Sequence, residues 1–284
     1  MSKRSILTLV LVLVLGVAVV GIWAVRSIFY APSEAINATY MEVHQEINAS
    51  EVKTIQIKSV NHHLVFQTSE SDNIKITYFQ KIDNSNIYSQ DNGTIYLEMI
   101  EQVEDLNNIF YQPTRKIDTI VISIPVESSL RIINENYTGN FEIKDAVVRS
   151  IKNATINGSI DINNVTCTNL ELSSNSGAIT LNGVGFTKAD IAGVRGNIII
   201  NLKDSLNLYN LNVATSFGTL KINDERVKEI YEEDGQQKEM FVNTIIKESD
   251  EAVSSLAISA VRNTISITSV EPEPVEETAE PAGN

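Results

Sequence analysis

Glycine recurs at Gly139, Gly158, Gly177 and Gly196, nineteen residues apart each time. A fixed period of this kind means that one supersecondary unit is stacked on copies of itself. After each glycine the second and fourth residues are apolar: Phe141 and Ile143, Ile160 and Ile162, Ile179 and Leu181, Ile198 and Ile200. That is the alternation of a half-buried strand. In the first three units apolar residues return at the seventh and ninth positions (Ala146 and Val148, Val165 and Cys167, Val184 and Phe186). They return again at the twelfth and fourteenth (Ile151, Leu170 and Leu172, Ala189 and Ile191), with Asn153 the one break. Three inward pairs per nineteen residues describe a coil with three faces, each pair lying above its counterpart in the coil before. The spacing predicts an all-β fold, a parallel β-helix solenoid built from 19-residue rungs.

The fifth residue after the glycine is Asn163, Asn182, Asn201 and, after Gly218, Asn223. Successive coils would therefore place an asparagine at one corner, where Asn tolerates a left-handed backbone and stacked amides can bond along the axis. The spacing lengthens to 22 between Gly196 and Gly218, which reads as an enlarged corner near residues 203–210.

Taken in order, the chain divides into four parts. Residues 6–25 form an uncharged apolar run preceded by Lys3 and Arg4 and closed by Trp23 near its end. That length spans a bilayer, the flanking cations favour a cytoplasmic amino terminus, and no small-x-small cleavage site follows. Residues 1–26 are thus expected to be a cytoplasmic stub and transmembrane signal anchor, holding everything beyond them outside the membrane as a single-pass protein. Residues 27–51 lack a clear period and read as a juxtamembrane linker with a short helix; the lone His44 there is a solvated side chain. Residues 52–270 carry the β-helix domain. Its first coils are irregular, with Gly93 set at the repeat glycine so that Ile95 and Leu97 fall on the same two columns, and with His62, Leu64 and Phe66 in the same register. Residues 100–116 interrupt the strands, and residues 224–231 read as a helical turn capped by Asp224. Strands at 240–247 and 256–260 follow, then a last coil at Asn263, Ile265 and Ile267; the atypical segment after Asn223 supplies the cap a solenoid needs. Residues 271–284, EPEPVEETAEPAGN, form an acidic, proline-rich tail that cannot bury a core.

A net charge of −14 offers no basic face for nucleic acid or an anionic bilayer surface. The single cysteine, Cys167, falls on an inward column, so neither a disulfide framework nor a zinc pattern is available. His62 and His63 are adjacent and point to opposite faces of a strand, which opposes a shared metal. No nucleophile elbow, phosphate loop or HExxH motif is present. The residues therefore point to no catalytic, cofactor-binding or metal site and to no cofactor. The one carboxylate pair that invites inspection is Glu142 and Asp161, expected to stack about 5 Å apart on neighbouring rungs, near the separation of a retaining glycosidase.

The run IDTIVISIPVESSLRIINENYTGNFEIKDAVVRSIKNATINGSIDINNV, with SSNSGAITLNG and VRGNIIINL after it, resembles the bacterial putative-adhesin domain of unknown function. That family shows a strand ending in Pro followed by repeated Ser/Asn-Gly-x-Ile-x-Ile units. The resemblance covers about residues 50–270 and implies a right-handed, single-stranded β-helix on the trans side of a bacterial membrane, often anchored at its amino terminus. Some anchored relatives are associated with cell-envelope stress systems. It implies no catalytic residues. The expected function is that of a non-enzymatic, membrane-anchored extracytoplasmic binding or scaffold protein of a bacterial envelope, with an envelope protein or glycan as partner. Residues 100–116 and 192–212 are its expected contact surfaces. The alternatives are a polysaccharide-active enzyme using Glu142 and Asp161, and a scaffold that self-associates end to end through its terminal coils.

Overall fold

The computed structural model describes residues 40–81, 87–99, 118–233 and 236–270. The expected anchor at 6–25, the interruption at 100–116 and the tail at 271–284 lie outside them. The strands, in chain order, begin with β1 (Tyr40–Asn48), β2 (Thr54–Ser59), β3 (His63–Ser69), β4 (Asn73–Lys81), β5 (Tyr88–Asp91), β6 (Thr94–Met99) and β7 (Thr119–Pro125). The regular repeats hold β8 (Arg131–Thr138), β9 (Phe141–Lys144), β10 (Ser150–Asn157), β11 (Ile160–Asn163), β12 (Thr166–Ser176), β13 (Ile179–Arg195) and β14 (Ile198–Leu202). The carboxyl-terminal part holds β15 (Tyr209–Thr215), β16 (Thr219–Ile222), β17 (Glu225–Arg226), β18 (Lys228–Glu233), β19 (Gln236–Phe241), β20 (Thr244–Lys247), β21 (Ser254–Arg262) and β22 (Thr264–Thr268).

These strands coil into two long parallel faces. Sheet A stacks β7, β3, β9, β11, the start of β13, β14, β22 and β16. Sheet B stacks β6, β2, β8, β10, β12, the remainder of β13, β21 and β15. The third face is narrower than the sequence pattern suggests, with isolated bridges from Glu127 to Val147 and from Val147 to Thr166. The columns hold the expected register: Phe141, Ile160, Ile179 and Ile198 are partners across sheet A and all are buried. Between the sheets the core is mostly Ile, Leu and Val, each worth roughly 1.5–3 kcal/mol when fully buried.

The glycine period has a steric cause at the tight corner from sheet B to sheet A. A Cβ on Gly158 would overlap the carbonyl oxygen of Gly139; one on Gly177 would overlap Gly158, and one on Gly196 would overlap Gly177. Each coil rests its backbone directly on the corner of the coil before. His62 occupies this position in the coil beneath Gly139, and Asn263 in the coil against Gly218. Asn136, three residues before Gly139, donates its Nδ2 hydrogen to the His62 carbonyl at 2.6 Å, so the corner is polar as well as close. Asn153, the break in the apolar pattern, is buried and accepts a hydrogen bond from Asn134 Nδ2 at 2.5 Å.

The order of coils in space departs from the order in the chain at both ends. The second coil, β6 and β7, lies outside the first, because β2 pairs with both β6 and β8 and β3 with both β7 and β9. At the other end β21 and β22 insert between the coil of β13 and β14 and the coil of β15 and β16. The coil at Asn263 is therefore last in sequence but not in the stack. This explains the 22-residue spacing: the chain must climb two rungs from β14 to β15, and three extra residues cover the additional ~4.8 Å. They lie in the stretch containing a 3-10 turn at Leu206–Leu208.

Antiparallel strands cover the ends. At the amino-terminal end β4 lies on β7 with β1 along it, and β5 lies on β6. At the other end β17 lies on β16 and β20 on β15, the cap expected from the loss of period after Asn223. Several expectations are corrected here. Within the range 27–51 assigned to a linker, residues 40–48 are instead β1, which pairs along its whole length with β4. The helical turn at 224–231 is instead β17 followed by one arm of the β18–β19 hairpin; Asp224, with φ 66, forms a left-handed turn rather than a helix cap. Gly93 is the turn of the β5–β6 hairpin, so Ile95 and Leu97 stand in sheet B beside Ile55 and Ile57, not in the columns of Ile160 and Ile162. Alternation has the same period in both sheets, so a turn glycine cannot tell one from the other.

Candidate functional site

The outward positions of sheet B form a trough running along the coil axis. Its floor is the column Ala154, Ser173, Ala192, Ser259 and Ala214, which the register of β10, β12, β13, β21 and β15 places side by side. Small side chains there leave the backbone recessed between two taller columns. One rim is apolar, with Tyr137, Ile156, Val194 and Val261 between 38% and 47% exposed. The recess on that side encloses about 720 Å³. The other rim is charged, and the recess there encloses about 620 Å³. On that rim Lys152 Nζ lies 2.8 Å from Glu171 Oε2, and on the next strand Lys188 Nζ lies 2.8 Å from Asp190 Oδ2. The two ammonium groups donate hydrogen bonds to Glu171 and Asp190, which hold them protonated and raise their pKa values above the ordinary lysine range. From β8 to β15 the trough crosses six strands, roughly 24 Å at the usual strand spacing.

Sequence reasoning did not find this trough, though a signal was present. The rim residues Tyr137, Ile156 and Val194 stand two positions before Gly139, Gly158 and Gly196, where the strand phase points outward and an apolar side chain is out of place. Residues 192–212 divide: Ala192, Val194 and Asn212 line the trough, whereas Ile198 and Ile200 are core. The other expected surface, 100–116, lies outside the described residues.

Glu142 and Asp161 are register partners on β9 and β11, as expected. Each carboxylate has another neighbour. Glu142 Oε2 lies 3.7 Å from His63 Nε2, and Asp161 Oδ1 accepts from Asn163 Nδ2 at 2.8 Å. Asn163 is the foot of the corner ladder: Asn182 donates to it at 2.7 Å and Asn201 donates to Asn182 at 2.6 Å. Asn223 does not join, because the inserted coil separates it from Asn201; its Oδ1 accepts from the Ser269 backbone at 3.0 Å. In the regular coils the left-handed backbone falls one residue later than expected, at Asp145 (φ 54), Asn164 (φ 52) and Gly183 (φ 60), whereas Asn223 is itself left-handed (φ 48).

Among the described residues, the Cys167 thiol and the Tyr209 phenol are sealed in the core. Burial pushes the Cys167 thiol up to about 12, which leaves it without thiolate character at neutral pH. Burial first, and then Asp204, push the Tyr209 phenol up to about 12. His62 is buried and His63 faces out on the opposite side of the strand. Among the described residues no three His, Cys, Asp or Glu side chains are grouped to hold a metal ion.

Stacked parallel coils with capped ends and a recessed side wall place this chain in the class of β-solenoid proteins. The family model of Toastrack DUF4097 matches residues 52–252, and the chain belongs to that family. Among solved structures it is similar to a putative cell adhesion protein from Clostridium sporogenes, with 13% identity and a TM-score of 0.45, covering 81% of this chain and 100% of that one. It is also similar to a putative adhesin from Bacteroides fragilis, with 10% identity and a TM-score of 0.35, covering 81% of this chain and 97% of the other. No curated protein matches the sequence.

Proposed function

We propose that this chain is a non-enzymatic binding or scaffold protein, displayed outside a bacterial membrane on an amino-terminal anchor, that holds an envelope protein or glycan in the trough of sheet B. The coil is read as right-handed, the hand that parallel strand crossovers take in nearly all cases. The observation that carries this reading is the trough: a rigid recess crossing six strands, with an apolar rim facing a charged one. A recess with few polar groups set in apolar walls is the usual form of a binding site. The anchor reading rests on the uncharged run at 6–25; no helix among the described residues is long and apolar enough to cross a membrane. The antiparallel caps at both ends favour the side wall over the terminal coils as the contact surface.

The test uses the full chain in detergent, immobilised and exposed to bacterial envelope extract. Ser173→Trp fills the floor of the trough, and Thr180→Trp places the same bulk on the outer face of sheet A. The expected result is a protein or glycan captured by the wild type and by Thr180→Trp and lost at least tenfold with Ser173→Trp. Equal capture by all three removes the trough from the function.

A further inference from the structure

The insertion of β21 between β13 and β15 brings together three residues that are far apart in sequence. Arg195 and Arg262 are register partners on adjacent strands, and both are exposed. Phe217 follows on the next rung, its amide donating to the Val261 carbonyl at 2.7 Å and its ring 78% exposed. Like charges directly opposite one another on neighbouring strands destabilise a sheet. Nothing nearby offsets this pair: among the described residues no carboxylate pairs with either guanidinium, and the surrounding outward positions are neutral, Asn175, Ser176, Ser216 and Asn197. Val194 and Val261 stand immediately before the two arginines and continue the apolar rim of the trough. A group that suits this corner carries carboxylates and aliphatic side chains within a few residues of each other.

We infer that Arg195 and Arg262 form a carboxylate clamp whose occupant is the chain's own acidic carboxyl-terminal segment, residues 271–284. That segment carries Glu271, Glu273, Glu276, Glu277 and Glu280 with Val275 among them. It begins one residue beyond Val270, on the same coil as Arg262. The separation is one strand of sheet A, about 17 Å for the five residues of β22. Fourteen residues reach up to about 46 Å when extended, so the segment can return to the corner. A guanidinium fork takes a carboxylate in bidentate fashion. On a body whose net charge repels an acidic segment, two adjacent unpaired cations supply a local attraction.

The experiment is digestion of the full chain in detergent with a glutamate-specific proteinase, following cleavage within 271–284 by mass spectrometry. At low salt, cleavage in the wild type is expected to be about tenfold slower than in the Arg195→Gln, Arg262→Gln double variant, and the protection should vanish near 0.5 M NaCl as exposed charges are screened. Lys144→Gln, which removes an exposed cation on sheet A away from the trough, should keep the wild-type rate. All variants are compared at equal melting temperature, which exposed positions permit. Equal cleavage of the wild type and the double variant overturns the assignment, as does protection that persists at high salt. Protection that grows with protein concentration places the segment on a second copy and overturns docking within one chain.

Discussion

At the residue scale the fold depends on a corner where side chains have no room. Gly177 sits against the carbonyl of Gly158, and Gly183 has no atom within 4 Å of where a Cβ would stand. Gly183 is nevertheless left-handed, with φ 60. The two glycines serve different needs, and one measurement separates them. Gly183→Ala should cost about 1–2 kcal/mol, the strain of an L residue in a left-handed turn. Gly177→Ala must push neighbouring backbone aside and should cost more, at or above the 1–3 kcal/mol typical of overpacking. Thermal melts of both variants check this, and an order reversed in favour of Gly177→Ala would mean that the corners do not stack as described. The nineteen-residue period was legible because this contact recurs at every regular coil. His62 and Asn263 were harder to place, since neither is glycine; only the flanking Leu64 and Phe66, and Ile265 and Ile267, mark their register.

At the element scale the asparagine corner links three coils that share no side-chain core at that point. Asn182 is the centre of the ladder, donating to Asn163 and accepting from Asn201. Asn182→Ala breaks both bonds and leaves two amides unpartnered on that side, whereas Asn201→Ala breaks one at the exposed end of the ladder. At roughly 1 kcal/mol per hydrogen bond, the central change should destabilise the chain about twice as much as the terminal one in denaturant titrations. Equal losses would show that the ladder amides act singly. The ladder itself was readable from the recurrence of Asn at one offset. Its upper limit was not, because Asn223 shares that offset and stands on a coil that is not adjacent to Asn201. The hairpin of β18 and β19 was also missed: residues 228–233 alternate no more clearly than they repeat at helical spacing, and all of them are exposed, so burial set no period.

At the scale of the whole molecule the distinguishing feature is that both terminal coils are out of sequence order. Ala192 on β13 is the register partner of Ser259 on β21, and Ala214 on β15 lies beyond Ser259. Ala192→Cys with Ser259→Cys should therefore close a disulfide under mild oxidation, since adjacent strands fall within the 4.4–6.8 Å Cα range that a disulfide allows. Ala192→Cys with Ala214→Cys spans two strand spacings, about 9.6 Å, and should remain reduced. Mass spectrometry after alkylation reads both, and a bridge between positions 192 and 214 would show β15 stacked directly on β13. The trough and the arginine corner both depend on this order, because Ser259, Val261 and Arg262 take their places in them only through the inserted coil.

The sequence by itself determined the all-β class, the length of the rung, the inward columns from Phe141 to Ile200 and the absence of any recognisable catalytic motif. Those properties are local or periodic, so each is written in the spacing of neighbouring residues. The tertiary structure decided which coil lies on which, and with it the trough and the meeting of Arg195, Arg262 and Phe217. The coil of β15 and β16 and the coil of β21 and β22 present the same kinds of residue to the same columns: Leu211 and Leu256, Val213 and Ile258, Leu220 and Ile265. A repeat that makes every coil a fitting neighbour for every other cannot specify their order. That order is fixed by the reach of the connections and by the antiparallel caps, which only the folded chain reveals.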